Sequence, residues 1–470
     1  MGRFMDYEDK DKERILILGA AGRDFHNFNV FFREKPQFEV AGFTAAQIPD
    51  IDCRIYPPKL SGRLYPGGLP IWPEDCLEDI IVDHNIDRCI LAYSDLSNQD
   101  VMDLASRVLA IGADFGFLGG WHTMLKSEKP VIAVCAVRTG AGKSQVVRYI
   151  VNLIREAGLK TVVVRHPMPY GNLREQAVQR FSSQSELAEA KLTIEEREEY
   201  EAHIKRDTIV YAGIDYEAIL RLAERESDMI VWDGGNNDTP FFKPDLWIAV
   251  ADALRPGHEV SYYPGETNFR AANIIVINKA NSAPERDVRS IEANAANLNP
   301  KASVVVAGSE VTADNPEVIR SKRVLVIEDG PTITHGGMAY GAGKVAAEKY
   351  GAAEIVDPRP FAVGSYKDIF SKFRHIGKVL PAMGYYNEQV RDLERTINNA
   401  QCDSVVIATP IDLRRLIKIS KPSTAVFYEL VDMNRPFLRD KICEFISFLS
   451  RDNGQAKADK KRMRPSYAPQ

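Results

Sequence analysis

An apolar run, Pro130-Val131-Ile132-Ala133-Val134-Cys135-Ala136, passes into Arg138-Thr139-Gly140-Ala141-Gly142-Lys143-Ser144 and then into a helical pattern near Ser144–Ala157. Strand, glycine-rich turn, lysine, hydroxyl and helix in that order form an arrangement that holds a triphosphate. The glycines let backbone N–H groups approach phosphate oxygens, and the helix N-terminus adds partial positive charge. On this reading Thr139, Gly140, Ala141 and Gly142 line the phosphates and Lys143 bridges the β- and γ-phosphates. Ser144 sets its hydroxyl on Mg²⁺. The usual pattern places a glycine where this chain has Val137. The loop instead fits a deviant form, Lys-Gly-Gly-x-Gly-Lys-[Ser/Thr], with Arg138 at its first lysine. A glycine turn that holds no phosphate is the plain alternative.

Around this loop, apolar β-branched runs alternate with longer amphipathic stretches, the pattern of parallel sheets covered by helices. The predicted fold class is α/β, built of three-layer parallel-sheet domains. A chain of 470 residues has room for two to four domains of roughly 100–200 residues each. The expected division is a Rossmann-like unit at 1–127, a P-loop NTPase unit at 128–312, a C-terminal α/β unit at 313–452 and a disordered basic tail at 453–470. Strands are expected at Arg14–Leu18, Val40–Thr44 and Cys89–Tyr93, then at Thr161–Arg165, Met229–Asp233, Leu246–Val250, Asn273–Asn278 and Ser303–Ala307. Further strands follow at Arg323–Ile327, Glu354–Val356 and Ser404–Ala408. The charged stretch Leu187–Lys205 reads as a solvated helix.

Bulk properties exclude several classes. A net charge of -5 leaves no basic footprint for wholesale nucleic-acid binding. Six cysteines without a C-x-x-C pair support neither a zinc ribbon nor a thioredoxin-like site, and they suit a reducing compartment. No apolar run approaches the roughly 18–20 residues that span a bilayer. The polar N-terminus has no apolar secretory core, so the cytoplasm is the expected location.

Two later segments fit the nucleotide reading. Met229-Ile230-Val231-Trp232-Asp233 runs apolar into a carboxylate, as in a strand whose Asp holds Mg²⁺; a strand-end cap is the alternative. Asn278-Lys279-Ala280-Asn281 matches a guanine-reading motif except that Asn281 replaces its Asp. An amide cannot supply the paired carboxylate acceptors, so ATP is at least as good a candidate as GTP. Polar strand ends supply a second group: Arg165-His166-Pro167, Arg255-Pro256-Gly257-His258-Glu259, and Asp329 with Thr334-His335-Gly336. Gly341-Ala342-Gly343-Lys344 then opens a helix. Loops beyond the carboxyl ends of strands converge on ligands in open α/β sheets, and Arg suits multiply anionic metabolites. Each lone His is more often structural than catalytic, and the three carry more weight as a set. The turn Gly19-Ala20-Ala21-Gly22-Arg23-Asp24 lacks a full Gly-x-Gly-x-x-Gly, leaving open a structural βα turn, a dinucleotide site or another anion site.

Taken together, Arg138–Ser144, Trp232–Asp238, Arg255–Glu259 and Glu328–Gly336, with His375–Tyr385 and Ala408–Arg415, resemble the cyclic 2,3-diphosphoglycerate synthetase-like family over roughly residues 130–435. The resemblance implies a central fold of the dethiobiotin-synthetase and signal-recognition-particle type. It also implies ATP-driven closure of a phosphoanhydride in 2,3-bisphosphoglycerate, with release of ADP and phosphate. Lys143, Arg138 and Mg²⁺ would then stabilise the transferring group, with Asp233 at the metal. Arg165, His166, Arg255, His258 and His335 would hold or protonate the acceptor, supported by Glu259, Asp329, Thr334 and Gly336. Asn278 and Lys279 join the nucleotide set. The expected ligands are ATP or GTP, Mg²⁺, K⁺ as a further cation, and a small phosphorylated or carboxylated metabolite; a homodimer fits the habit of related proteins. The Gly19–Asn27 turn departs from the family pattern and points to a paralogue with a different acceptor. The competing readings are a regulatory GTPase or metallocentre chaperone, and a scaffold with a structural nucleotide.

Overall fold

A computed structural model describes residues 12–46, 51, 53–166, 171–190, 192–384 and 387–455. Two large sheets organise them. The N-terminal sheet has six strands in the order Ile55–Tyr56, Leu69–Pro73, Phe38–Ala45, Glu13–Leu18, Arg88–Leu91, Asp114–Phe117. All pairings are parallel except that of the first two strands. Glu13–Leu18 lies between strands that follow it in opposite directions across the sheet, so the loops after Leu18 and Leu91 flank a topological switch point.

The second sheet has 13 strands. From one edge run Gln179–Phe181, Ile209–Ala212, Thr161–Arg165, Met229–Asp233, Val131–Ala136, Leu246–Asp252, Ile274–Asn278 and Ser303–Ala313. Ser423–Asp432, Ser404–Ala408, Arg323–Asp329 and Glu354–Ile355 complete the row, and Leu380–Ala382 also pairs with Arg323–Asp329. Val131–Ala136, Met229–Asp233, Ile274–Asn278 and Ser404–Ala408 are buried at every position, as expected for parallel strands with both faces covered. Ser303–Ala313 runs well beyond the expected Ala307. Its first part pairs in parallel with Ile274–Ile277 and its second antiparallel with Ser423–Asp432. One strand therefore serves both halves of the sheet. The final helix, Leu438–Gln455, packs Leu438, Ile442, Phe445 and Ile446 into the core beneath helix Lys143–Glu156. Residues 453–455, expected in the tail, are helical, and 456–470 lie outside the described residues.

The N-terminal unit is fastened to the large sheet. Leu96–Ser97 pairs antiparallel with Tyr262–Tyr263, and the Arg23 guanidinium is buried against Thr239 and Thr123 and over the Phe241 ring. The Leu187–Lys205 stretch departs from the solvated reading. It forms two helices, Gln184–Glu189 and Ile194–Ile204, because Thr193 starts a new helix through a capping box with Glu196. Glu196, Tyr200, His203 and Ile204 are buried along one stripe at helical spacing, which pins the second helix onto the sheet's carboxyl edge.

Candidate functional site

The loop after Val131–Ala136 bends on Gly140 and Gly142, at φ of +78° and +94°. At Gly142 a Cβ would lie 2.1 Å from the Asn278 amide nitrogen, so only glycine allows both the turn and the approach. Asn278 donates through Nδ2 to the Ala141 carbonyl at 3.0 Å. Lys279 donates through Nζ to Gly140 O at 2.6 Å and to Asp252 at 2.7 Å. Arg255 donates to Thr139 O, Gly336 O and Asp252. Burial alone would push the Asp252 pKa up, but Lys279 and Arg255 outweigh it and hold the carboxyl below its usual range. Asn278, Lys279 and Arg255 thus brace the loop from beneath. Both ends of the Asn281 amide are bonded to the Ser309 backbone.

Above the loop runs a chain of alternating charges. Lys143 pairs with Asp233, Asp233 with Arg165, and Arg165 with Glu199. His203 adds a contact to Asp233 at 3.3 Å. Burial lowers the Lys143 pKa to about 8, against the pull of Asp233. It would raise that of Asp233, yet Arg165, Lys143 and His203 together hold this carboxyl well below the usual carboxylate range. Sequence reasoning missed Glu199 and His203. The buried stripe through Tyr200, His203 and Ile204 was their only local signal, masked by the surrounding charges.

These groups meet in one cavity. Its wall includes Arg138–Ser144, Arg148, Arg165 and Lys279, together with Glu199, Glu328, Asp329, Tyr340 and Tyr428. Of the predicted residues, Arg138, Thr139, Gly140, Ala141, Gly142, Lys143, Ser144, Arg165, Lys279 and Asp329 lie in its wall. Asp233 stands behind Lys143.

The remaining predicted residues hold loops. His258 is half-buried against the Tyr262 ring, and burial with Arg255 and Arg138 lowers its pKa to about 4. His335 stands edge-on to Phe373, its pKa lowered by burial and by Lys372. Glu259 accepts from Gly257 N and Asn294. Thr334 donates to Gly330 O, and Asp329 caps the turn at Thr332. His166 pairs with Asp238 at 2.9 Å, beneath Gly22 of the N-terminal turn, where a Cβ would sit 2.1 Å from its Nε2. The Gly19–Asn27 turn is therefore packed onto the central sheet.

Arg138 is not directed at the loop's glycines. It forms an ion pair at 2.6 Å with Asp95 of the N-terminal unit and lies over the Tyr262 ring, while Thr139 N–H donates to Asp95 at 3.3 Å. Nothing local in the sequence marks Asp95 as a partner of this loop. For Mg²⁺, the Ser144 hydroxyl in the cavity wall is a hard oxygen donor of the right chemistry, whereas both oxygens of Asp233, also expected at the metal, are taken by Lys143, Arg165 and His203. Among the described residues no group of three or more His, Cys, Asp or Glu could hold a metal. No helix among the described residues is long and apolar enough to cross a membrane.

No protein-family model matches the chain. It is similar to the curated arginine synthetase ArcE of Thermococcus kodakarensis, 58% identical over 437 residues that cover 93% of this chain and 98% of that protein. Among solved structures, LpxK from Aquifex aeolicus in complex with ATP aligns at a TM-score of 0.42 and 14% identity, over 69% of this chain and 90% of that one. The UDP-N-acetylmuramate:L-alanyl-gamma-D-glutamyl-meso-diaminopimelate ligase of Neisseria meningitides aligns at 0.25 and 12%, over 63% and 80%.

Proposed function

The chain belongs to the family of arginine synthetase ArcE and is an ATP-dependent enzyme of the P-loop ligase kind; from that premise we propose that it forms arginine by phosphorylating a ureido oxygen and replacing it with ammonia. A P-loop hands the γ-phosphoryl group to a nucleophile, most simply an oxygen. The arginine precursor that carries an oxygen on the future guanidinium carbon is a ureido amino acid, L-citrulline.

The observation that carries this reading is the mixed charge of the cavity wall. Glu199, Glu328 and Asp329 share the wall with Lys143, Arg148 and Arg165, a lining suited to a zwitterionic acceptor. A bisphosphoglycerate acceptor, implied by the sequence resemblance, calls for a wall more uniformly basic. Lys143 neutralises the transferring group, and Arg165 holds Asp233 in place behind it. When bound, Mg²⁺ would supply further charge neutralisation at the phosphates, with the Ser144 hydroxyl as its protein donor, while Asp233 stays paired with Arg165 behind it.

The test is to incubate the protein with Mg²⁺, ATP, ammonium and L-citrulline and to quantify arginine, ADP and phosphate. Arginine in step with ADP is the expected result. A cyclic phosphoanhydride signal in phosphorus NMR with 2,3-bisphosphoglycerate, and no arginine, would reassign the acceptor. Exchanging ATP for GTP and leaving out K⁺ tests the remaining expectations in the same assay.

A further inference from the structure

We infer that Glu199 binds the guanidinium group formed in the reaction and that nucleotide binding releases it from Arg165; this rests on the arginine-forming reading above. Glu199 stands on helix Ile194–Ile204, anchored by its buried stripe, and lines the same cavity as the P-loop. Its side chain is 30% exposed, whereas that of its partner Arg165 is 2% exposed. The other carboxylates of the wall are engaged. Glu328 accepts from the N–H groups of Gly341, Gly343 and Lys344, and Asp329 accepts from the Thr332 N–H and hydroxyl. A cation entering the cavity therefore meets Glu199, which already holds a guanidinium.

The charge chain links this carboxylate to the nucleotide. Asp233 shares Lys143 and Arg165. A γ-phosphate competes with Asp233 for Lys143, and a buried carboxylate that loses one cation holds the next more tightly. Arg165 is that next cation, and its shift toward Asp233 leaves Glu199 to the ligand. The chemistry creates the need for it. As the ammonia C–N bond forms, the C–O bond to phosphate breaks and phosphate leaves with the electron pair. The ureido N–H proton released on phosphorylation, which left an imine nitrogen, ends on the departing phosphate, and one ammonia proton passes to that imine nitrogen. A neutral ureido group thereby becomes a cation, and a facing carboxylate stabilises the charge as it appears.

The experiment is calorimetric titration of L-arginine and L-citrulline into wild type, Glu199→Gln and Glu199→Asp, each with and without a non-hydrolysable ATP analogue. Wild type should bind arginine about 10-fold more tightly with the analogue present. Glu199→Gln should lose about 30-fold in arginine affinity, with citrulline affinity unchanged within about twofold and the analogue bound more tightly because Arg165 is already free, and Glu199→Asp should recover part of the loss. Unchanged arginine affinity in Glu199→Gln overturns the inference and leaves the proposed function standing. Wild type that neither binds nor forms arginine overturns the proposed function, and the inference with it.

Discussion

Gly-Ala-Gly-Lys occurs twice in this chain, at 140–143 and at 341–344, and each time it opens a helix over the carboxyl edge of the same 13-stranded sheet. At the first copy the strand beneath ends in small and apolar residues, Cys135-Ala136-Val137, and Lys143 reaches sideways to Asp233. At the second, the strand beneath carries Glu328, whose buried carboxylate accepts from three backbone N–H groups at the helix start. Lys344 turns outward to Glu348 and the Tyr340 ring. The same four residues thus make an open anion cradle in one place and a self-filled cap in the other. One carboxylate on the neighbouring strand decides which.

The largest effect that could break this comparison is on catalysis. Lys143→Ala should reduce ATP turnover on the order of 10²–10³-fold, and Lys344→Ala should leave it within about twofold, both read by ADP release. Equal losses would mean that the second copy also works on phosphate.

Removing the internal carboxylate sharpens the contrast. Glu328→Ala leaves its N–H donors without their acceptor and should cost about 3 kcal/mol in urea unfolding. Inorganic phosphate should stabilise the variant by more than it stabilises the wild type, in which the second copy is already filled by Glu328. Gly142→Ala should cost about 1–3 kcal/mol through strain at positive φ and weaken ATP binding, measured by calorimetry.

The smallest effect is a pH slope. Burial raises the Glu328 pKa to about 7, against its three backbone donors, while the unfolded carboxyl titrates near 4.3. Between these values the folded chain binds a proton that the unfolded chain lacks, so this group's contribution declines as pH rises through 7. Comparing urea midpoints of wild type and Glu328→Gln at pH 5 and pH 8 isolates it, and the variant should show the flatter profile.

The first copy was readable in the sequence because strand, turn, lysine and helix are contiguous, and each has a local cause. The second drew attention for the same reason, but nothing nearby says that Glu328, thirteen residues before Gly341, bends back into it. Asp95 on Arg138 and Glu199 on Arg165 escape for a related reason, since their partners lie 43 and 34 residues away. The strand from Ser303 reads as ending at Ala307 because Gly308 interrupts it. In the fold that glycine is where Asn281 and Val431 come closest, 3.0–3.1 Å from a would-be Cβ, and the strand continues to Ala313. Sequence patterns carry what neighbours along the chain decide, and the acceptor side of this cavity is decided by residues from three separate regions.

The shared strand Ser303–Ala313 has a mechanical meaning. With one hydrogen-bonded ribbon spanning both halves of the sheet, the two Gly-Ala-Gly-Lys helix starts are held like the jaws of a fixed gauge rather than of a hinge. A set spacing sorts ligands by size, and helix Ile194–Ile204, pinned by its buried stripe, adds a fixed wall to the same gauge.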